Sequence, residues 1–243
     1  MIVRNEADRL PPTLEAVAWA DEIVVVDSGS TDGTPGLARE AGARVIETDD
    51  WPGYGPQKQR ALEAAEGPWV LLLDADEVVS PALADEMRGL LERGPEAEGY
   101  ELEFHTRYLG CWLGRRGWWR DRHLRLVRKA SARVTADAVH EGVRVEGPVG
   151  RLREPLLHHS YRDAGHHVRK VFAYAELKAR QKRELGERTS LPGALGHAVA
   201  RFLSGFVVRG RFLYGWRGLV YDLIEAAGTL QAYVRLWELD RLR

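Results

Sequence analysis

Two apolar segments that each end on an aspartate restrict the fold of this chain more than any other feature. Residues 23–26 are four consecutive β-branched residues followed by Asp27, and the apolar residues 69–73 are followed by Asp74. Such runs are typical of strands that are buried on both faces of a parallel sheet. In α/β folds, ligands bind beyond the carboxyl ends of these strands. We therefore expect Asp27 and Asp74 at the same edge of one sheet.

Helical patterns separate these predicted strands. Apolar periodicity and capping residues predict helices over residues 12–20, 35–41, 57–65 and 81–91, and a further strand over residues 44–47. Thr34 is the predicted N-cap of the second helix, and Ser80 with Pro81 begins the fourth. The alternation predicts the α/β class, with a doubly wound, mainly parallel, Rossmann-like sheet.

The pattern changes after residue 98, which divides the chain into three predicted parts. Residues 1–98 hold the alternating strands and helices, and residues 99–160 hold short strand-like segments. Residues 161–243 are predicted to be a C-terminal helical extension, rich in Lys and Arg and broken at Gly205, Gly210 and Gly215.

Charge is distributed unevenly over a chain whose formal net charge is only −1. Residues 1–106 contain 23 acidic and 8 basic residues, whereas residues 151–243 contain 9 acidic and 17 basic residues. An acidic first half suits a divalent cation, and a basic second half suits phosphates or an anionic membrane surface. The single cysteine fits a reducing compartment. Charged residues interrupt the N-terminus before a signal peptide could form, and no uninterrupted apolar run reaches about 18 residues.

The loop over residues 27–34 combines two carboxylates, two glycines and four hydroxyl side chains. Asp27 can accept hydrogen bonds from a base or a ribose, Ser28 offers a hydroxyl, and the glycines permit close backbone approach. A nucleotide pocket is one interpretation, and an Asx-turn that leads into a helix is the other. The loop has neither the phosphate-loop motif of ATPases nor the dinucleotide-binding glycine pattern.

The acidic sequence Asp74-Ala75-Asp76-Glu77 indicates a metal site. Mg²⁺ and Mn²⁺ prefer oxygen ligands and often join one or two carboxylates to substrate phosphates. A solvated acidic turn at the end of a strand would give the same pattern. Crowded carboxylates cost stability unless a cation or another partner offsets them, which favours the metal site.

Four motifs in order resemble one enzyme family. "VRNEA", "DEIVVVDSGSTDGT", "YGPQKQRAL" and "WVLLLDADEVV" follow each other within residues 1–95. They resemble the family 2 inverting glycosyltransferases with the GT-A fold, and in particular the lipopolysaccharide-core β-glucosyltransferase group. The resemblance extends more weakly through "RHLRLVRK", "VHEGV" and "LLHHSYRD". In the family, a first strand normally precedes "RNE", so we expect the natural start to lie upstream of Met1.

The resemblance implies roles for individual residues. Asp27 matches the carboxylate that holds the nucleotide base, with Asn5 and Glu6 close to the ribose and base. Asp74 is expected near the ribose or a metal-bound water, and Asp76 on the Mn²⁺ or Mg²⁺ at the diphosphate. Lys58 matches a position near the nucleotide.

The resemblance also points to a catalytic base and to a third metal ligand. An acceptor hydroxyl needs a carboxylate within hydrogen-bond reach, and "HEG" at residues 140–142 resembles the acceptor-side acid segment of the family, so Glu141 is the predicted base. His158 is the predicted metal ligand, with His159 as the alternative. A surface glutamate and structural histidines remain the alternative interpretations.

These inferences together predict a metal-dependent hexosyltransferase. The expected donor is a nucleotide diphosphate sugar, similar to UDP-glucose, and the expected acceptor is a glycolipid or polysaccharide such as lipopolysaccharide core. Residues 1–98 would bind the donor and residues 99–160 the acceptor. Residues 161–243 would either bind the cytoplasmic face of a membrane or form helices that pack on the core with solvated arginines. A catalytically inactive scaffold and a nucleotidyltransferase are the alternatives. Arginines and tryptophans mix in residues 112–129, as in nucleic-acid-binding segments, but we expect no nucleic-acid partner because this loop adjoins the predicted catalytic residues.

Overall fold

The computed structural model describes residues 1–135 and 142–241, which form an α/β chain with two compact units. The N-terminal unit comprises Met1–His105 and Asp121–His159. The C-terminal unit comprises Thr106–Arg120 and Ser160–Arg243. The functional division predicted after residues 98 and 160 stays a prediction.

A three-stranded parallel sheet positions the first aspartate. Its strand order is β1 (Ile2–Val3), β2 (Val24–Asp27) and β3 (Arg44–Glu47). The central strand β2 ends on Asp27, which pairs with Val3 of β1 and Glu47 of β3. Because β2 is covered on both faces, its valines can be uninterrupted, as the sequence pattern indicated.

A second sheet is mixed rather than mainly parallel. Its strands are β4 (Trp69–Leu71), β5 (Glu77–Val79), β6 (Gly99–Tyr108), β7 (Cys111–Leu113), β8 (Arg122–Arg128), β11 (Val149–Arg151) and β12 (Leu156–His158). The order is β4-β8-β6-β12-β5, with β11 beside β6. The pairs β4–β8, β6–β8 and β12–β5 are antiparallel, and β11–β6 is parallel.

The expectation of a mainly parallel sheet is therefore correct only for β1 to β3. Parallel neighbours need a long crossover, usually a helix, between consecutive strands. The described residues between β6 and β12 contain no α-helix. Besides β7, β8 and β11, they form a short 3₁₀ turn, Lys129–Ser131, and the antiparallel pair of β9 (Ala132–Val134) and β10 (Val143–Val145). The predicted α/β fold class itself is confirmed.

Four helices accompany the sheets of the N-terminal unit. They are α1 (Leu10–Ala16), α2 (Thr34–Glu40), α3 (Tyr54–Ala64) and α4 (Pro81–Arg93). Ser80 caps α4 as predicted, since its hydroxyl accepts a hydrogen bond from the Leu83 amide at 3.2 Å. Thr34 is not an N-cap, because it is already the first residue of α2 and its hydroxyl accepts the Glu6 amide at 2.9 Å.

The C-terminal unit is mainly helical. The hairpin strand β7 (Cys111–Leu113) pairs with the end of β6, and the helices are α5 (Ala164–Glu184), α6 (Leu191–Leu203) and α7 (Trp216–Arg241). The predicted glycine breaks lie between α6 and α7, where Gly210 and Gly215 have φ of 71° and 59°. Helices α5 and α7 pack closely, since a Cβ on Gly228 would lie 2.0 Å from the Val171 side chain.

Charged side chains are paired inside this unit. The His167 ring contacts the Tyr108 hydroxyl at 3.1 Å and the Glu225 carboxylate at 3.2 Å, and Arg201 donates to the same carboxylate at 2.7 Å. Burial would raise the pKa of Glu225, but His167 and Arg201 outweigh it and lower the pKa to about 2. The half-buried Glu225 carboxylate therefore stays ionised and paired.

One helical window among the described residues is long and apolar enough to cross a membrane. It covers Leu191–Val208, with a mean hydropathy of 1.3, and 17% of it is buried. The sequence showed no uninterrupted apolar run of this length because Arg201 lies within the window.

Candidate active site

The loop after β2 is organised by the buried Asp27 carboxylate, which is 1% exposed. Its Oδ1 accepts the Ser30 amide at 2.9 Å, and its Oδ2 accepts the Ser30 hydroxyl. The loop therefore contains a turn in which the Asp27 side chain accepts hydrogen bonds from the loop itself, which was one interpretation of the sequence. Since each carboxylate oxygen can accept more than one hydrogen bond, the turn does not exclude a nucleotide.

The segment after β1 lies directly against this loop. The Asn5 amide donates to the Ser30 hydroxyl at 2.9 Å, and the Asn5 side-chain oxygen accepts the Thr31 amide at 2.8 Å. Asn5 has a φ of 54°, an uncommon conformation for a residue other than glycine. Backbone strain of this kind persists where neighbouring contacts impose it, and it clusters at functional sites. These contacts bring the predicted residues Asn5, Glu6 and Asp27 together.

Helix α3 connects the two aspartate-ended strands through consecutive residues. The buried Gln57 amide donates to the Ser28 hydroxyl at 2.9 Å and to the Thr48 hydroxyl at 2.7 Å. The next residue, Lys58, has its ammonium 2.9 Å from Asp74 Oδ1. The ends of β2 and β4 are therefore joined by one helical turn, so Asp27 and Asp74 converge. The expectation of a single sheet was wrong, because β4 pairs with β8 in the second sheet and not with the strands beside β2.

The carboxylates after β4 have opposite pKa shifts. Arg125 donates to Glu77 at 2.6 Å and to Asp74 at 3.3 Å. Burial raises the pKa of Glu77. Enclosure would also raise the pKa of Asp74, but Lys58 and Arg125 outweigh it and hold this pKa well below its usual range. Asp74 is therefore a permanently charged group at this edge of the sheet.

Asp76 is held between a guanidinium and an imidazole. Arg9 Nη2 donates to Asp76 Oδ2 at 2.6 Å, and His158 Nε2 lies 3.5 Å from Oδ1. The antiparallel pairing of β12 with β5 places His158 opposite Glu77. Within residues 1–135 and 142–241, no group of three or more His, Cys, Asp or Glu side chains has the arrangement of a metal site.

The structure brings all but one of the predicted site residues into one contact network. The members of this network are Asn5, Glu6, Asp27, Ser28, Lys58, Asp74, Asp76 and His158. Glu141, the predicted base, lies outside the described residues. The role of each residue in binding or catalysis stays a prediction.

Three further residues, Gln57, Arg125 and Arg9, contact members of this network and were not predicted from the sequence as site residues. Gln57 and Arg125 lie within "YGPQKQRAL" and "RHLRLVRK", so the family motifs contained a signal for them. Arg9 had no such signal, because its contact with Asp76 depends on how α1 packs: the Thr13 hydroxyl donates to the Ala75 carbonyl at 2.9 Å.

Comparison with known proteins identifies the family. The sequence model of the family described as "Glycosyl transferase family 2" matches residues 1–155 of this chain. The chain belongs to this family and is a glycosyltransferase. The family resemblance inferred from the four motifs is confirmed, whereas the scaffold and nucleotidyltransferase alternatives gain no support.

Full-length relatives agree with this assignment. The chain is 32% identical to the lipopolysaccharide core biosynthesis glycosyltransferase LpsC of Rhizobium meliloti strain 1021, over 96% of this chain and 91% of that protein. It is 28% identical to an uncharacterized glycosyltransferase of Rickettsia typhi, over 99% of this chain and 86% of that protein. The expected similarity to enzymes of lipopolysaccharide-core biosynthesis is thus confirmed.

A partial structural likeness exists to the glucosyl-3-phosphoglycerate synthase of Mycobacterium tuberculosis. It has a TM-score of 0.36 and 27% identity, and covers 45% of this chain and 42% of that chain. A likeness of this extent carries no inference about the present chain.

The Lys58–Asp74 ion pair predicts a pH-dependent loss of stability in Lys58→Met. Without this cation, the pKa of Asp74 rises toward the ordinary value of about 3.9. A lowered carboxyl pKa stabilises the folded state above the unfolded pKa, and this contribution disappears as pH falls through the folded pKa. We expect Lys58→Met to unfold at lower denaturant concentration than wild type at pH 7, and the difference to shrink below about pH 4.

Lys178→Met on α5 is the matched control, since Lys178 forms no ion pair in the part of the chain that the structure describes. Denaturation measured from pH 3 to pH 7 should show little change for this variant. An equal, pH-independent loss in both variants would contradict the assigned ion pair.

Proposed function

We propose that this glycosyltransferase moves a hexose from a nucleotide diphosphate sugar, similar to UDP-glucose, to a glycolipid or polysaccharide acceptor such as lipopolysaccharide core, with inversion and with Mn²⁺ or Mg²⁺. The observation that carries this proposal is the junction at α3, where consecutive residues contact Ser28 and Asp74. One ligand that lies across this junction would meet hydroxyls and amides at one end and charged groups at the other. A nucleoside joined to a diphosphate has that distribution of chemistry.

The loop after β2 is suited to the nucleoside end of the donor. Asp27 can accept hydrogen bonds from a base or ribose, and Asn5 and Glu6 lie against the same loop. The loop is fixed by its own hydrogen bonds before any ligand arrives, which lowers the entropy cost of binding.

The charged end of the site is suited to a cation and a diphosphate. Asp76 offers a carboxylate with the His158 imidazole 3.5 Å away, and Asp74 is held ionised. Mn²⁺ and Mg²⁺ often use only one or two protein carboxylates and complete their shell with phosphates and water, so this small donor set fits them. When bound, such a cation acts as a Lewis acid that stabilises charge on a leaving diphosphate.

The cationic side chains of the chain itself have a complementary role. Lys58, Arg125 and Arg9 surround the carboxylates at this edge. In the proposed donor complex, they would stabilise the negative charge that develops as the bond between the sugar and the diphosphate breaks.

Glu141 is proposed as the base on the strength of its sequence context. It would take the proton of the acceptor hydroxyl while that oxygen forms its bond to the anomeric carbon. The carbon–oxygen bond to the diphosphate breaks in the same step, so the configuration inverts and no covalent enzyme intermediate forms.

Asp76→Asn tests the proposed metal and donor site. With UDP-glucose and Mn²⁺ at about 100 times Kd, wild type should gain about 2.7 kcal/mol, which corresponds to a rise in Tm of roughly 5–10 °C. Asp76→Asn should lose the part of this rise that requires Mn²⁺, because an amide is a weaker ligand for a hard cation. Asp85→Asn on α4, an exposed aspartate, is the control and should behave as wild type. A full Mn²⁺-dependent shift in Asp76→Asn would exclude Asp76 as a ligand.

Glu141→Gln separates donor binding from transfer. Loss of a general base lowers kcat by about 10²–10⁴-fold, while the donor-induced shift in Tm should remain. The exposed Glu146 provides the matched control, and Glu146→Gln should keep the wild-type kcat. Release of UDP from the donor in the presence of acceptor is the measurement, and an unchanged kcat in Glu141→Gln would reassign the base.

We also propose that the enzyme is cytoplasmic and binds the inner face of the membrane through α6. Leu191, Leu195, Val199 and Leu203 recur every four residues and are 47–58% exposed, whereas Ala194 and Ala198 on the adjoining face are buried. This pattern is typical of a helix that lies in a membrane interface. The excess of basic residues after residue 150 suits an anionic leaflet.

The double variant Leu195→Glu/Val199→Glu tests this membrane contact. Two aliphatic side chains contribute about 1.5 kcal/mol or more each when buried, so co-sedimentation with phosphatidylglycerol vesicles should weaken at least about tenfold. Leu185→Glu, at an exposed leucine that follows α5, is the control and should bind as wild type. Equal binding by the double variant and wild type would exclude α6 as the contact.

A further inference from the structure

The C-terminal unit contains a solvent-accessible cavity of about 740 Å³, and none of its lining residues belongs to the candidate active site. Its lining includes Cys111, Trp112, Arg115, Arg116, Leu213 and Arg217. All of the lining residues belong to the hairpin of β7 and to the segment just before and at the start of α7. The volume lies within the range of about 300–1,000 Å³ that is usual for small-molecule sites.

Three guanidinium groups at this cavity lack acidic partners among the described residues. Within residues 1–135 and 142–241, no carboxylate oxygen lies within 4.0 Å of the side-chain nitrogens of Arg115, Arg116 or Arg217. By contrast, Arg201 and Arg211 of the same unit pair with acids at 2.7 Å and 2.5 Å. Arginines that lie close together repel each other unless an anion binds between them. Their planar guanidinium groups match the geometry of a phosphate.

The cavity wall is held in place by Tyr214. Its hydroxyl accepts the amides of Gly114 at 2.9 Å and Arg116 at 2.6 Å, and it donates to the Arg116 carbonyl at 3.1 Å. Arg217 is fixed as well, because its Nε donates to the Leu109 carbonyl at 2.9 Å. The arginines therefore project from a preformed frame, which lowers the entropy cost of binding.

The Cys111 thiol at this cavity lies close to several cationic side chains. Burial raises the pKa of the Cys111 thiol, and Arg217, Arg107 and Arg116 act in the opposite direction by favouring the thiolate. An anion near this thiol would therefore be attracted by several cations at once.

Apolar side chains lie beside the basic cavity. Leu213 lines the cavity itself, and its neighbours Phe212 and Trp216 are 42% and 57% exposed. Trp118, which is 62% exposed, stacks obliquely near Phe212 with ring centroids 6.2 Å apart. A free phosphate would leave these apolar groups in water, whereas an amphiphile would cover them.

We propose that this cavity binds the phosphate headgroup of an amphiphilic lipid, with Arg115, Arg116 and Arg217 on the phosphate and the adjoining aromatic side chains on the hydrocarbon. None of its residues belongs to the donor site of the proposed function or to α6. It gives the C-terminal unit a specific lipid ligand in addition to a general membrane contact.

Dihexanoyl phosphatidic acid below its critical micelle concentration tests this site without a membrane. Calorimetric titration of the full chain should show saturable binding of one molecule, and Arg115→Gln/Arg116→Gln should weaken it at least about tenfold, as expected for two charge-assisted hydrogen bonds. Arg180→Gln/Arg183→Gln on α5 removes the same charge from the same unit and should bind as wild type. If Arg115→Gln/Arg116→Gln has the same Tm as wild type, its weaker binding of phosphatidic acid is not caused by unfolding.

Two further ligands define the chemistry. Dihexanoyl phosphatidylcholine, which has no net charge, should bind at least about tenfold more weakly than the phosphatidic acid. Inorganic phosphate that binds as tightly as the amphiphile would overturn the lipid assignment. Equal weakening in both double variants, or no saturable binding by wild type, would overturn the site itself. None of these measurements depends on glycosyl transfer, so their failure would leave the proposed reaction untouched.

Discussion

The hydrogen bonds of two consecutive residues on α3 hold the candidate active site together. Gln57 contacts Ser28 and Lys58 contacts Asp74, so a single helical turn fixes the ends of two strands that belong to different sheets. The buried amide of Gln57 has little freedom, because both of its hydrogens have acceptors. The separation between the hydroxyl-rich loop and the acidic turn is therefore set by the fold rather than by a ligand.

Charge compensation follows from this geometry. The acidic turn holds three carboxylates within four residues, and like charges so close together would destabilise an uncompensated fold. Arg125 stabilises Asp74 and Glu77, and Arg9 stabilises Asp76. In the proposed donor complex, the diphosphate and the cation would meet charges of both signs that are already oriented, which is the arrangement that electrostatic catalysis requires.

The sequence predicts the elements that depend on local residue patterns. It does not predict the strand pairing and side-chain contacts that depend on packing between distant segments. The strand before Asp27 and the cap at Ser80 are recognisable because burial and capping leave a signal in adjacent residues. The antiparallel pairing of β6 with β8 leaves no such signal, because the two strands are distant in the chain and adjacent residues do not record which strand a segment pairs with. The site behaves in the same way: the strand ends predict the aspartates, but the contact of Arg9 with Asp76 requires the packing of α1, which no motif records.

In the proposed donor complex, one nucleotide diphosphate lies across both strand ends. Paramagnetic broadening of amide NMR signals by Mn²⁺ in the presence of UDP tests this placement directly. We expect the amides of Ala75 and Asp76 to broaden most, those of Ser28 and Ser30 to broaden in the same titration, and both effects to require UDP. Broadening confined to the acidic turn, with the loop after β2 unaffected by UDP, would contradict it.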